Sequence, residues 1–186
     1  MRAGWRVCLI GAGGWRRLGS GAIRETAMTP EEKLEEMQLV MPPPVVLPEG
    51  VHLPFSMLNR RGDRVLISGH PRHGADGALN GPFGLVGADL TLEEAHAAAR
   101  DIGLCVLSHL KAELGELSRI TGWARVFGMV ASAPGFTQQH LVINGFSDLI
   151  IEVFGPDAGR HARSAIGVSA LPMNFAMEIE GEVLIG

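Results

Sequence analysis

The sequence predicts an α+β fold, in which a mixed β-sheet carries two helices packed on one of its faces. Apolar residues recur at helical spacing in two long segments, residues 91–115 and 141–155. Shorter β-rich segments surround them, in the order strand, strand, helix, strand, helix, strand, strand. A chain of 186 residues that is 46% hydrophobic is long enough and apolar enough for one domain with a substantial core.

The first element is a short amphipathic helix at residues 29–39. Thr29 stands at the N-cap position, Pro30 at the first helical position and Glu32 at the third, which is a capping-box pattern. The proline-rich segment 41–50 then ends the helix and leads extended chain into the domain.

Residues 55–69 predict two strands around a turn at residues 61–63, and residues 71–87 predict a glycine-rich loop. The first long helix follows this loop. It begins with a capping box made by Thr91 and Glu94.

Residues 120–133 predict a strand that enters the second long helix, and two strands close the chain at residues 163–168 and 175–185. Two helices can cover only one face of such a sheet. Because an uncovered apolar sheet face promotes aggregation, we expect the other face to assemble with further copies of the chain.

A lone arginine, Arg163, precedes Glu178 by fifteen residues in this last pair of strands. If the two strands form a hairpin around residues 170–171, Arg163 and Glu178 face each other with Cβ atoms about 5 Å apart. The pair could be an exposed salt bridge that stabilises the sheet by about 0–1 kcal/mol. Alternatively, the arginine could bind a substrate carboxylate in bidentate fashion while the glutamate orients or deprotonates a water molecule.

The N-terminal segment "VCLIGAGGWRRLG" is similar to the start of a dinucleotide-binding unit, but Trp15 takes the place of the third glycine and no amphipathic helix follows. Its apolar part is too short for a signal peptide. Because Met28 opens a well-formed helix start, we expect residues 1–27 to be a disordered or start-site extension, with an Arg-rich transit peptide as the alternative. The folded domain would then span residues 28–186.

Charge and cysteine usage limit the partners that we expect. Residues 1–27 hold five arginines and one acidic residue, which leaves 11 basic and 19 acidic residues in the rest of the chain. Such an acidic body argues against nucleic acid as a partner. No apolar run approaches the roughly 20 residues that span a bilayer, so we expect no membrane partner. The two cysteines make no disulfide framework, and we expect Cys105 to be a buried thiol in a cytoplasmic protein.

The histidines raise the question of a metal site. His70 and His73 are three residues apart, but a zinc site needs three or four organised ligands, and the chain has no cysteine pair to supply them. We therefore expect exposed loop histidines and no metal. His161 precedes Arg163 by two residues and could lie near the entrance of a site there.

Three motifs make the chain recognisable. The segments "NGFSDLIIEVFG", "GRHARSAIGVSALP" and "MEIEGEVLIG" resemble the RidA/YjgF family of reactive-intermediate deaminases, also known as endoribonuclease L-PSP-like proteins. The segment "GADLTLEEA" is similar to the longer branch of that family, and the resemblance covers residues 44–186. It implies a chorismate-mutase-like fold, a homotrimer and a site in each cleft between subunits, with no cofactor.

The resemblance also implies an activity and its residues. The family hydrolyses reactive 2-imino and enamine acids to 2-oxo acids and ammonia, so the partner would be a small imine or 2-oxo acid that carries a carboxylate. Arg163 matches the residue that holds this carboxylate, and Glu178 matches the acid beside the attacking water. Asn144 and Gly69 match residues that line the cleft, Gly69 through its backbone.

Two departures from the family pattern leave the function open. The chain has no tyrosine, and Phe55 stands where many members carry one. Ala165 stands where short-branch members often carry cysteine, which predicts a roomier and more apolar pocket. A trimeric protein that binds small carboxylates or acts like a chaperone without turnover is one alternative, and an endoribonuclease that acts on single-stranded RNA is another.

Overall fold

A computed structural model describes residues 28–47 and 49–186, so the expectation for residues 1–27 concerns residues outside the described part. The described part contains the elements in the predicted order. The helices are α1 (Pro30–Glu36), α2 (Leu92–Leu114) and α3 (Gln139–Gly159), and the strands are β1 (Leu58–Arg61), β2 (Arg64–His70), β3 (Ile120–Ala131), β4 (Ala162–Val168) and β5 (Met177–Ile185).

Capping residues define where the helices begin. The Thr29 and Thr91 side chains each accept a hydrogen bond from the backbone of the third helical residue, and both predicted capping boxes are present. Helix α3 continues beyond its predicted end at Gly155. That residue has a φ of 74° and interrupts the helix, and Pro156 begins one further turn.

The five strands form one mixed sheet in the order β1-β2-β5-β3-β4. Strands β3 and β4 are parallel because α3 connects them as a crossover helix, and the other neighbouring pairs are antiparallel. This topology confirms the predicted mixed sheet of the chorismate-mutase-like fold.

The predicted hairpin between the last two strands is wrong, because β3 lies between β4 and β5. A short 3-10 turn at Pro172–Asn174, where Met173 and Asn174 have positive φ, directs the chain away from β4. Strand β5 then inserts between β2 and β3 and is hydrogen-bonded on both edges. This central position fully buries Met177 and Ile179 beneath the helices, and burial of apolar side chains favours it over an edge hairpin.

The core lies between the sheet and the paired helices α2 and α3 on one face. A Cβ atom at Gly145 would lie only 2.0 Å from the carbonyl oxygen of His96, so the two helices approach each other at a distance that only glycine allows. Strand β3 contributes Val126 and Val130 to this core, and both are completely buried.

The opposite face of the sheet, which we call the open face, has no helix on it. Its surface mixes apolar with charged side chains. Leu66 and Ile166 are exposed large apolar residues there. The side chain of Glu182 forms an ion pair with Arg64 across the strands. No helix in the described ranges, 28–47 and 49–186, has both the length and the apolar character needed to cross a membrane.

Candidate functional site

Glu178 lies at the start of β5 and points to the open face. It pairs with Met129 of β3. Val126 and Val130 are separated from Met129 by odd numbers of residues and are buried against the helices, so Met129 and Glu178 lie on the opposite face. The side chain is half-buried. Burial raises the pKa of this carboxyl above its usual value. A carboxyl that binds its proton more readily is suited to exchange protons with a substrate near neutral pH.

Gly69 lies directly against Glu178. A Cβ atom at Gly69 would be 2.9 Å from Oε2 of Glu178, which is closer than a normal contact. The absence of a side chain at Gly69 therefore makes room for the Glu178 carboxylate. The pairing of β2 with β5 is irregular between Ile67 and His70, and this bulge brings Gly69 to that position.

Phe55, Gly69 and Glu178 line one cavity of about 340 Å³, so the structure brings together three of the six predicted site residues. Most of the other lining side chains are apolar, and they include Leu53 and Phe175. Phe55 is 55% exposed and presents a hydrocarbon ring where many family members are expected to present a phenol.

Arg163 lies in another part of the molecule, on the edge strand β4 and on the side of the sheet that α3 covers. Its Nη1 donates a hydrogen bond of 2.9 Å to Oγ of Ser147, and its Nη2 donates one of 3.4 Å to the carbonyl oxygen of His140. Both partners belong to α3. Asn144 lies between them in sequence, at a spacing that places it on the same side of the helix. Ala165 is two residues farther along β4 and packs against the core.

A chain of hydrogen bonds through Ser147 and His161 holds the Arg163 guanidinium in place. Nδ1 of His161 lies 2.8 Å from the carbonyl oxygen of Gly159, which can only accept, so Nδ1 carries the proton. Nε2 of His161 then accepts from the hydroxyl of Ser147 at 3.0 Å, and the same hydroxyl oxygen accepts from Arg163. Burial lowers the pKa of His161 below its usual value, the charge of Arg163 lowers it further, and the hydrogen bond to Gly159 opposes them.

Ser147 is the residue that the sequence reasoning missed, and His161 was assigned only to a possible site entrance. The available signal was indirect. Ser147 follows Asn144 by three residues on one helix face, and His161 precedes Arg163 by two in one strand segment. Only the packing of α3 against β4 shows that these two patterns meet.

The predicted contact between Arg163 and Glu178 within one chain is wrong. Arg163 pairs with Val126 of β3, and Glu178 pairs with Met129 of the same strand. Their Cα atoms are therefore two strand spacings apart across the sheet and three residues apart along it, a separation of about 14 Å. They also lie on opposite faces of the sheet, because Val126 faces the helices and Met129 does not. A single subunit therefore cannot bring the guanidinium and the carboxylate to the same small substrate.

The expectation that His70 and His73 are exposed loop residues is also wrong. They are 0% and 4% exposed. The bulge in β2 turns His70 towards α2, where its ring packs edge-on against His109 with the centroids 4.8 Å apart. His73 packs against the same ring at 5.5 Å. Within the described residues, no group of three or more His, Cys, Asp and Glu is arranged to hold a metal ion.

Cys105 is completely buried beside these histidines and is a free thiol, as predicted. Burial raises its pKa to about 11. The thiol is therefore protonated at neutral pH, and a protonated buried thiol is neither a nucleophile nor a metal ligand.

Comparison with known proteins places this fold and sequence in a family. Residues 40–179 match the family model described as "YjgF/chorismate_mutase-like, putative endoribonuclease". "Protein TCP17" of Trypanosoma cruzi is 42% identical over 123 residues, which cover 66% of this chain and 75% of that protein.

Two solved structures are similar over most of their length. Protein Atu1372 of Agrobacterium tumefaciens, described as having unknown function, is 34% identical with a TM-score of 0.74, over 85% of this chain and 94% of that one. A protein from Shewanella oneidensis described as a "putative endoribonuclease" is 30% identical with a TM-score of 0.75, over 85% of this chain and 100% of that one. These matches confirm the family that the C-terminal motifs indicate, and the chain belongs to the YjgF/chorismate-mutase-like family.

Proposed function

We propose that the protein hydrolyses reactive 2-imino and enamine acids to 2-oxo acids and ammonia, in clefts between the subunits of a homotrimer. The observation that carries this proposal is the placement of Arg163 and Glu178 on opposite faces and at different strands of one sheet. A site that uses both residues requires two copies of the chain, and the open face that bears Glu178 is available for such a contact.

In this assembly one subunit contributes Arg163, with Asn144 and Ala165 beside it, and its neighbour contributes Glu178, Gly69 and Phe55. The guanidinium has a planar array of donors that can hold a carboxylate in bidentate fashion. The Ser147 hydroxyl and the His140 carbonyl keep that guanidinium at the edge of the sheet. The substrate carboxylate would thus bind to one subunit and the reacting carbon would lie against the other.

The chemistry follows from the carboxyl of Glu178. A protonated Glu178 delivers a proton to the enamine carbon and converts the enamine to the imine. The carboxylate then takes a proton from water while the water oxygen bonds to the imine carbon, which leaves a carbinolamine. Glu178 gives that proton to the nitrogen, and its carboxylate then takes the hydroxyl proton of the carbinolamine as the carbonyl forms and ammonia leaves. Glu178 thus gives two protons and takes two, and it ends the cycle protonated as it began.

The test is ammonia release from freshly generated 2-aminoacrylate and from a panel of larger 2-imino acids. We expect turnover by the wild type and loss of turnover in Arg163→Ala and Glu178→Gln, with each variant still folded. Mixing these two inactive variants during refolding should restore about a quarter of the wild-type activity, because one in four randomly assembled clefts then has both residues. Absence of recovery in trimers of mixed composition would show that one subunit supplies both groups.

A second candidate is a trimer that binds small 2-oxo acids in the same clefts without turnover. The observation that favours it is Phe55, which places no hydroxyl on the cavity wall beside Glu178. Binding of 2-oxo acids without ammonia release from any imine would support this candidate and exclude the deaminase.

The family description also names endoribonuclease activity. Residues 28–186 carry 11 basic and 19 acidic side chains, a charge that repels RNA. Cleavage of single-stranded RNA that falls steeply with added salt, and that Glu178→Gln abolishes, would favour this activity over deamination.

A further inference from the structure

The cavity that contains Glu178 is larger than the reacting part of a 2-imino acid. Its volume of about 340 Å³ has room for about eleven groups the size of a water molecule. A small substrate such as 2-aminoacrylate fills only part of that space. Phe55 and Met173 line the cavity and are 55% and 66% exposed, so the cavity opens to the surface. A bound molecule can therefore extend from Glu178 into space that the reaction itself does not use.

The wall of this cavity is apolar and comes from three segments of the chain. Leu47 and Leu53 belong to the segment before β1, Leu79 to the loop after β2, and Phe175 to the turn before β5. No lysine or arginine among the described residues lines the cavity, and the unpaired ring nitrogens of its two histidines are buried behind the wall. Within the described part of the chain, Glu178 is therefore the one charged side chain that a bound molecule meets there.

Hydrogen bonds hold part of this wall in place. The proline-rich segment 41–50 passes over the cavity, and Val45 and Leu47 line it. The backbone N–H of Val45 donates to Nε2 of His109 at 3.2 Å, and the backbone N–H of Val46 donates to the carbonyl oxygen of Gly77 at 2.9 Å. Because these bonds tie the segment to α2 and to the loop after β2, the apolar wall is formed before a ligand binds.

Met173 lies at the mouth of the cavity in a strained backbone conformation. Its φ is 56° and that of Asn174 is 62°, values that residues other than glycine rarely adopt. The N–H of Asn174 donates to the carbonyl oxygen of Leu171 at 3.2 Å, and the N–H of Gly84 donates to the carbonyl oxygen of Asn174 at 2.9 Å. Such strain clusters at functional sites. A flexible, polarisable methionine there adapts its contacts to apolar groups of different shapes.

We infer that this cavity receives the side chain of the bound 2-imino or 2-oxo acid, and that it selects a bulky side chain that is apolar to its end. The inference rests on the proposed function, which places the Glu178 carboxyl at the reacting carbon. The side chain then lies against Leu53, Leu79 and Phe175, with Met173 at the mouth. Each methylene group buried there should strengthen binding about fourfold.

Polar side chains of the same shape fit this wall less well. A second carboxylate would lie near the Glu178 carboxyl, with no lysine or arginine from the described residues to pair with it. An amide would lose its hydrogen bonds to water and gain no partner from the apolar side chains. For side chains of equal shape, we therefore expect affinity to decrease from hydrocarbon to amide to carboxylate.

Calorimetry with 2-oxo acids tests the inference on the wild-type protein without turnover. 2-Oxohexanoate should bind about 15-fold more tightly than 2-oxobutanoate, because its side chain is two methylene groups longer. For polarity, 5-methyl-2-oxohexanoate should bind about 10-fold more tightly than 2-oxoglutaramate and about 100-fold more tightly than 2-oxoglutarate, which have nearly the same shape. Equal affinities within either set, tighter binding of a polar ligand, or no binding of any ligand would overturn the inference.

Leu53→Asn and Val51→Asn form a matched pair of variants on one segment. Leu53 lines the cavity and lies outside the core, so its variant should fold, whereas Val51 is 48% exposed. Leu53→Asn should lower the ratio of affinities for 2-oxohexanoate and 2-oxobutanoate by about threefold or more, and Val51→Asn should leave it unchanged. The wild-type ratio in a folded Leu53→Asn protein would contradict the placement of the side chain against this wall.

A second pair tests the mouth of the cavity. Met173→Gly and Asn174→Gly each place glycine at a residue with positive φ, but only the first removes a lining side chain. We expect Met173→Gly to bind 2-oxohexanoate about fivefold more weakly than Asn174→Gly does. Equal affinities in the two variants would contradict the contact with Met173.

Ammonia release from the corresponding 2-imino acids separates this inference from the proposed function. A preference for bulky apolar 2-oxo acids without ammonia release from any imine would support the cavity assignment and exclude the deaminase. Ammonia release with equal kcat/KM for small and bulky imino acids would support the deaminase and overturn the selection by the cavity.

Discussion

Gly69→Ala is the sharpest single test of the site, because the structure predicts that it separates activity from stability. The added methyl group would lie 2.9 Å from Oε2 of Glu178, whereas an ordinary contact begins at about 3.4 Å. The closest atom is the free end of a flexible side chain, so the carboxylate can move aside at little cost to the fold. The carboxylate would be displaced by about half an ångström or more.

The expected effects of Gly69→Ala on stability and on turnover have opposite signs. Gly69 does not have positive φ, so alanine fits its backbone conformation, and the loss of glycine from the unfolded chain stabilises the protein by about 0.4–1 kcal/mol. A displacement of about 1 Å at a catalytic group can reduce turnover by about 100-fold. We therefore expect unchanged or slightly higher stability with kcat lowered by about 10- to 100-fold.

The assay is ammonia release from 2-aminoacrylate beside urea denaturation of the same preparation. Gly122→Ala is the matched control, since a Cβ atom at Gly122 meets nothing within 4 Å, and both quantities should stay near their wild-type values. Full activity in a folded Gly69→Ala protein would refute the steric reasoning if Glu178→Gln is inactive. If Glu178→Gln is also fully active, the role assigned to Glu178 is wrong.

Three further changes test other parts of the molecule. Ser147→Ala removes the hydroxyl that holds Arg163, so we expect KM for imino acids to rise about 10-fold with a smaller change in kcat, measured by initial rates. His70 has a folded-state pKa of about 4, below its unfolded value of 6.5. Its stabilising contribution is therefore complete above pH 6.5 and decreases as pH falls, and urea denaturation should show about 3 kcal/mol lost between pH 7 and pH 4, a loss absent in His70→Leu. Gly145→Ala places a methyl group 2.0 Å from the His96 carbonyl oxygen, and overpacking should outweigh the helix preference of alanine and reduce the free energy of unfolding by about 1–3 kcal/mol. An unfolding midpoint of Gly145→Ala equal to that of Gly122→Ala would contradict the close contact between the helices.

Local rules were sufficient for the elements and for the family. The two threonine capping boxes, the apolar spacing in α2 and its C-cap Gly115 depend on residues close in sequence, so the pattern itself determines them. The C-terminal motifs identified the family for the same reason, since they are contiguous in the chain. Even the division of β5 into a buried set and a set of glutamates follows from strand alternation alone.

The pairing of strands depended on contacts distant in sequence. A hairpin between β4 and β5 satisfies the local pattern equally well, but it would leave β5 on an edge, whereas insertion between β2 and β3 buries Met177 and Ile179 completely. The free energy of that burial depends on which strands are available, and no local pattern shows this.

The arrangement of the site differs from the predicted one for the same reason. Strand alternation places Arg163 and Glu178 each on one face of its own strand, but the relation between those two faces depends on the strand that lies between them. The sequence by itself determined which side chains the proposed chemistry uses. Only the tertiary structure decided that Ser147 holds Arg163, that His70 is buried beside the cavity, and that the two halves of the proposed site must come from different subunits. Each of these depends on elements far apart in the chain, whose packing follows from burial of the whole core.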